Sequence, residues 1–528
     1  MYRRIIGVYL VVVIMLMSVI SRSYQIVTIE NKEQAAADQG GIVLEIDRRR
    51  GTIYDCNFIP LTNTQTIYKA AIAPTPQAVI ALSEILPETQ RQSARERLAQ
   101  GGPIVMEVPA DFKAESARVF KTYKRYSKEG LASHIIGYID GDGSGVSGVE
   151  QGYDSVLGQN PPLSARYATD ARGHILPGVP VKVSGAEQDV RHGVALTLDF
   201  RLQLIAENAA KRHIKSGAVL IGDVHSGKLR ACVSVPDFDQ SEIEKYLDAQ
   251  GSPLINRALT AYNVGSVFKL CVAAAALESG ISPDYEYECS SYLQIGNLAF
   301  TCPEAHGKID VRKAIEQSCN TYFVHLAGLI GAENIHTMAG MMGFGQSRSL
   351  CAGIVSEPGR LTKLDVINEQ PAALANFAFG QGELMATPLQ ILNMTAAIAA
   401  GGAYIPPELV DGTVEEDGSL IPLRHQPAVR VMSEKTAELL REAMIDVVSQ
   451  GTGTAGMPAV GGAGGKTATA ESGWRREGRK VSQVWFSGFY PAQNPRYTVT
   501  ILMEDGVSGG KSAAPIFKEI ADAISVIE

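Results

Sequence analysis

With 528 residues, 45% hydrophobic and 20% charged, the chain is long enough for two or more domains with real cores, which excludes a disordered tail. Its net charge of −8 is spread along the sequence, and no basic stripe is interleaved with aromatics, so no nucleic-acid partner is expected. A single long apolar run excludes a polytopic membrane bundle.

That run comes first. Arg3 and Arg4 precede residues 5–20, almost all Ile, Val, Leu and Met, slightly short for a spanning helix and slightly long for a signal-peptide core. Ser21, Arg22, Ser23 and Tyr24 offer no small-x-small cleavage site, so an uncleaved anchor is preferred over a removed leader. The positive-inside rule sets residues 1–4 in the cytoplasm, 5–22 across the cytoplasmic membrane in a single pass, and the remainder outside.

Residues 23–185 read as an irregular, turn-rich N-terminal domain, with one charged helical stretch near Glu88 to Gln100. The pattern changes near Val194, where a short strand runs into an amphipathic helix that Asp199 is placed to cap. The second domain is therefore expected over 186–528. Residues 217–235 form two apolar strands around Ser226-Gly227, and residues 270–280 form a helix ended by Gly280. A second hairpin spans 482–505 around Asn494-Pro495, and a helix closes the chain over 514–527. Strands at both ends with helices between predict an α/β or α+β domain whose one sheet joins distant segments.

Two stretches carry candidate chemistry but admit two readings each. Cys289 and Cys302 flank a short loop in an oxidising space, as a disulfide or as two reduced thiols; His306 would be a third metal ligand, but no fourth is evident and no metal is expected. The stretch GGAGGKTATAES (461–472) suggests either a phosphate loop or a strand that holds a carboxylate. Val460 stands where the phosphate loop needs its first glycine, and Thr467 to Ala470 alternates at strand period, so the strand is preferred.

A carboxylate-binding strand calls for a nucleophile elsewhere. Ser266 and Lys269, three residues apart at the start of an Ala-rich helix, share a face, so the amine can activate the hydroxyl. Ser318 and Asn320 sit in a break between helical stretches, where a hydroxyl can relay a proton and an amide can grip a peptide. Each motif alone reads as ordinary helix or loop.

Taken in order, Ser266-Val-Phe-Lys269, Ser318-Cys-Asn320 and Lys466-Thr467-Ala468 resemble the three motifs of penicillin-recognising serine acyltransferases. RRGTIYDCNFIPLT (49–62), the glycine-rich 134–158 segment, FGQGELMATPLQ (379–390) and GGKSAAPIFKEIAD (509–522) extend the similarity to class B penicillin-binding proteins along nearly the whole chain. The resemblance implies a peptidoglycan D,D-transpeptidase with a central antiparallel sheet flanked by helices, preceded by a non-catalytic pedestal or dimerisation domain. It implies Ser266 as acylated nucleophile, Lys269 as base with a pKa lowered by the cleft and by Lys466, and Ser318 as proton relay. Asn320 would hold the stem-peptide amide. Lys466, Thr467 and Thr469 would bind the terminal carboxylate, and the N–H groups of Ser266 and Thr469 would form the oxyanion hole. Peptidoglycan stem peptides, β-lactams and a polytopic SEDS-family glycan polymerase are the implied partners, with no cofactor. A D,D-carboxypeptidase or β-lactamase on the same fold and a catalytically silent scaffold are the rival readings.

The sequence departs from the family at Val264, often Pro, at Cys56-Asn57-Phe58, usually Arg-Asn-Gly, and at Ala468, usually Gly. The Ala468 methyl should share a strand face with Lys466 and hold strand and helix apart unless the facing residue is small.

Overall fold

The computed structural model describes residues 2–28, 41–114, 117–127, 130–176, 178–185, 190–476 and 479–528. The first helix, Tyr2–Thr28, contains the 19-residue segment Ile6–Tyr24, long and apolar enough to cross a membrane. The side chains of Arg3 and Arg4, on which the expected orientation rests, lie outside the described residues, as does part of the expected boundary at 185/186.

The chain forms two compact units. The smaller gathers residues 1–50, 65–125 and 160–189, and the larger gathers 51–64, 126–159 and 190–528. The chain passes between them repeatedly, so 51–64 and 126–159 lie with the larger unit although they fall inside 23–185. One tie is local and clear: Thr52–Tyr54 pairs in parallel with Gly193–Leu196, the strand that opens the larger unit's continuous stretch.

The smaller unit is more regular than its sequence suggests. It holds two three-stranded sheets, one of Gly41–Asp47, Leu163–Ala168 and Lys182–Ser184, the other of Ile104–Glu107, Gln65–Ile72 and Ala117–Lys124. Burial along Gln65–Ile72 changes from exposed to buried end to end instead of alternating, which removes the period-two signal that reveals a strand. Helices Pro76–Ile85 and Glu88–Ala99 pack Ala78, Leu82, Ala94 and Leu98 onto this sheet. Pro76 starts the first of them and the Thr75 side chain accepts the Ala78 N–H, satisfying a donor that the first turn leaves unpaired.

The larger unit is built on a five-stranded sheet in the order Leu229–Val235, Gly217–Asp223, Tyr497–Met503, Arg479–Tyr490, Gly464–Arg476, antiparallel throughout. Both faces are covered. Val499 and Ile501 pack with helices Phe200–His213 and Ala514–Ile527, while Leu502, Trp485 and Phe489 pack with helices Lys269–Glu278, Asn320–Met341 and Glu434–Ser449. Burial on both sides explains the continuous apolar runs, and each fully buried Ile or Phe contributes roughly 1.5–3 kcal/mol. Asp199 caps its helix as expected, accepting from the N–H groups of Arg201 and Leu202. Gly464–Arg476 ends the strand order, so one side of its backbone lies at the sheet edge.

Candidate active site

Ser266 sits in a 3-10 turn, Gly265–Phe268, which feeds directly into the helix Lys269–Glu278. Residues three apart eclipse in such a turn, so Ser266 and Lys269 are stacked along one side. Gly265 has φ +67°, and its N–H donates to the Gly380 carbonyl at 2.7 Å. A Cβ on Gly380 would stand 2.0 Å from the Gly265 carbonyl oxygen, so only glycine lets the two backbones meet. Gly380, in FGQGE, is thus a positioning residue; its signal in the sequence was the glycine pair Gly380 and Gly382, but not the partner. The segment before the turn is fixed by Trp485, whose indole N–H donates to the Asn263 carbonyl at 2.9 Å, and by Gln483, which accepts the Asn263 N–H at 2.8 Å.

Lys269 is fully buried, and its Nζ donates to Ser318 O at 2.7 Å, Ser318 Oγ at 3.2 Å and Asn320 Oδ1 at 2.7 Å. Among the described residues no hydrogen bond joins Lys269 to Ser266; the lysine is held by the second motif instead. That motif can supply three acceptors because Ser318 adopts φ +57°, a conformation uncommon for a non-glycine residue and found where surrounding structure enforces it. The Asn320 amide is also gripped from behind, its Nδ2 donating to Thr301 O at 2.9 Å. Burial pushes the Lys269 amine down from its usual value to about 7, so neutral and charged forms coexist near neutrality.

The third motif lies on the sheet-edge strand, where a phosphate loop would have required a helix. The Ala468 and Ala470 methyls face Gly265 of the serine turn, and Thr469 between them is exposed. Lys466 is fully buried and donates to the Thr467 carbonyl at 3.2 Å. Desolvation, and then the positive charge of Lys269, hold its amine well below the usual value. Burial is thus the largest cause at both lysines, and the two like charges disfavour each other's ammonium forms. Thr467 Oγ1 meets Thr452 Oγ1 at 2.8 Å, and exposed Thr469 accepts the Gly509 N–H at 3.3 Å.

Ala468 faces Gly265: a Cβ built on that glycine would lie 3.4 Å from the Ala468 methyl, so strand and turn meet at these two small residues. Cys289 and Cys302, expected as a possible bridge, are free thiols with Sγ atoms 3.9 Å apart.

Together these groups form a buried, pre-arranged site for acyl transfer: a hydroxyl at a helix start, an amine with a lowered pKa, a second hydroxyl within its reach, and a second lysine on an edge strand. Residues 217–522 match the family described as Penicillin binding protein transpeptidase domain. The chain is 32% identical over 429 residues to penicillin-binding protein PbpB of Mycobacterium tuberculosis, covering 75% of this chain and 61% of that protein, so it spans less than two thirds of that relative. It is 28% identical over 569 residues to the peptidoglycan D,D-transpeptidase MrdA of Acinetobacter baumannii, covering 92% and 82%. A solved chain from a peptidoglycan synthase complex, studied for coordination of polymerisation and crosslinking, shares the fold with a TM-score of 0.72 at 23% identity, covering 99% of each chain.

Proposed function

Since this chain belongs to the class B penicillin-binding proteins, we propose that it is a peptidoglycan D,D-transpeptidase working through an acyl-enzyme on Ser266. The observation that carries the reading is the convergence of Lys269 with Ser318 and Asn320 beside the serine turn, in a pocket that lowers the lysine to about 7. Neutral Lys269 takes the Ser266 proton as Oγ attacks the penultimate D-Ala carbonyl. The oxyanion is held by the N–H groups of Ser266 and Thr469. Ser318 then passes a proton to the departing D-Ala nitrogen, and an acceptor amine displaces Ser266 from the acyl group. Lys466 receives the terminal carboxylate with Thr467 and Thr469; the arriving anion favours the ammonium form that burial disfavours. A sheet-edge strand also suits docking of an extended stem peptide by main-chain hydrogen bonds.

The test is covalent labelling. A labelled β-lactam should form a lasting adduct on Ser266, located by mass spectrometry and abolished in Ser266→Ala. An unlabelled wild type would favour the silent scaffold, labelling that survives Ser266→Ala would displace the nucleophile, and rapid release of the adduct would favour a β-lactamase.

In this reading Ile6–Tyr24 anchors the chain in the cytoplasmic membrane, residues 1–4 face the cytoplasm and the body faces the wall. Protease added to intact spheroplasts should degrade the body; its survival would overturn this topology. The anchor and the smaller unit are assigned to contact with a polytopic SEDS-family glycan polymerase, a role supported by the fold shared with the synthase-complex chain.

A further inference from the structure

A cavity of about 340 Å³ on the larger unit is lined by none of the side chains that the acylation chemistry uses. Its volume lies within the roughly 300–1,000 Å³ of small-ligand sites. Four segments far apart in the sequence wall it: 134–148, Phe238, 254–260 and 353–357. Two of them touch at Gly148 and Gly353, where a Cβ on Gly353 would stand 2.6 Å from the Gly148 carbonyl oxygen, so glycine is needed for that wall to close. Val355 in the lining is exposed, so the cavity is open to solvent.

The lining joins an apolar part to a polar one. Phe238 and Leu259 are buried, and Phe238 makes T-shaped contacts with His134 and Tyr138, whose ring centroids lie 4.9 and 6.4 Å away. The polar groups are largely unspent. Among the described residues, the Tyr138 and Ser147 hydroxyls and the Asn256 Nδ2 have no hydrogen-bond partner. Glu357 uses one carboxylate oxygen, which accepts the Ala261 N–H at 2.7 Å, and among the same residues its other oxygen has no partner.

Charge narrows the class of ligand. Glu357 is the one charged side chain in the lining, since His134, whose Nε2 donates to the Pro253 carbonyl at 2.7 Å, is kept neutral by burial that lowers its pKa. An anion would meet that carboxylate with no lining cation to offset it. An acyl chain would bury the free hydroxyls and carboxamide unpaired, at about 1–3 kcal/mol each. A neutral N-acetylated sugar suits both parts. Its ring face and acetyl methyl pack on aromatic and aliphatic side chains, while its hydroxyls and amide pair with groups that give and accept hydrogen bonds.

We infer that this cavity binds N-acetylated sugar rings of a glycan strand and holds the strand while its attached peptide extends to Ser266. Thr260 lines the cavity, and the chain from there to Ser266 spans at most about 20 Å, a distance that an extended peptide of about six residues covers. That chain is pinned on the way, at Ala261 by Glu357 and at Tyr262–Asn263 by pairing with Met385–Ala386. The sugar class is read from the cavity alone, whereas its cooperation with Ser266 rests on the transpeptidase reading above.

Calorimetry of the full chain in a sugar-free detergent should show binding of chitotetraose, and at least about tenfold weaker binding of cellotetraose, which lacks the acetamido groups. Tyr138→Ala and Asn256→Asp should each weaken chitotetraose binding by about fivefold or more, with β-lactam acylation within about twofold of wild type; the second keeps the acceptor for the Ala258 N–H and loses the donors. Ser147→Ala, which removes one hydroxyl, should weaken binding about threefold and decides the matter if either larger change disturbs folding. No binding of chitotetraose, equal binding of cellotetraose, or unchanged affinity in all three variants would overturn the site. A stem peptide that carries its disaccharide should show a KM at least about fivefold below that of the bare peptide, and Tyr138→Ala should raise only the first KM, with kcat unchanged for both. Equal KM values in the wild type would overturn the cooperation with Ser266. A chain that binds chitotetraose but is never labelled by a β-lactam would keep the sugar site and sink the transpeptidase reading.

Discussion

The two sides of the cleft use the same residue in opposite ways. On the helix side Lys269 is fully buried yet surrounded by acceptors from Ser318 and Asn320, and its amine is held at about 7. On the strand side Lys466 is equally buried, has one backbone carbonyl as partner among the described residues, and feels the charge of Lys269 in addition. Burial alone does not assign a role. Acceptors around Lys269 let it exchange a proton near neutrality, whereas sparsely partnered Lys466 is suited to gain its charge when an anion arrives.

The contrast breaks most sharply at Lys269. Lys269→Arg keeps a cation but removes a group able to become neutral, so β-lactam acylation should fall by at least about a hundredfold, the span expected for loss of a general base. A second-order rate within tenfold of wild type would remove Lys269 as the base. Lys466→Ala should cost less, about ten- to a hundredfold, in line with about 1.5–3 kcal/mol for a hydrogen bond to a charged group. Its signature is selectivity: wild type should prefer a β-lactam with a free carboxylate over its methyl ester, and the variant should lose that preference. Retained preference would place the carboxylate elsewhere.

The pH profile sharpens the same comparison. Because burial disfavours the ammonium, the active neutral form of Lys269 accumulates as pH rises, so acylation should fall about tenfold per pH unit below about 7 and level off above it. Lys466→Ala should move that midpoint little, because desolvation is the largest cause of the lowering at Lys269. A large upward move in the variant would make the charge of Lys466, and not burial, the main cause.

The smallest expected effect concerns Ala468. Its buried methyl faces Gly265 of the turn, so Ala468→Gly should open slack between strand and turn and slow acylation by about two- to fivefold, the equivalent of roughly one buried methyl. Faster acylation in the glycine variant would mean that the methyl holds the strand off the serine.

How far the molecule can be read from its sequence depends on the range of the interaction responsible. Residues 467–470 read as strand because Thr and Ala alternate, the helix after Asp199 reads from its cap and apolar face, and the hairpins read from their turns, all from neighbours close in the chain. The order Ser266, Lys269, Ser318, Asn320, Lys466 identified the chemistry by pattern, before any contact was known. The two sheets of the smaller unit escaped, in part because Gln65–Ile72 grades from exposed to buried along its length and so carries no clean period.

Contacts between distant segments were decided only in three dimensions. Packing, not composition, sets Lys269 to about 7, and the register of a short strand pair carries His306 to Cys289. Gly265 was legible as a neighbour of Ser266, but not as the residue that faces the Ala468 methyl. Local propensity is written residue by residue, whereas desolvation, ligand geometry and steric fit depend on which remote surfaces the folded chain brings together.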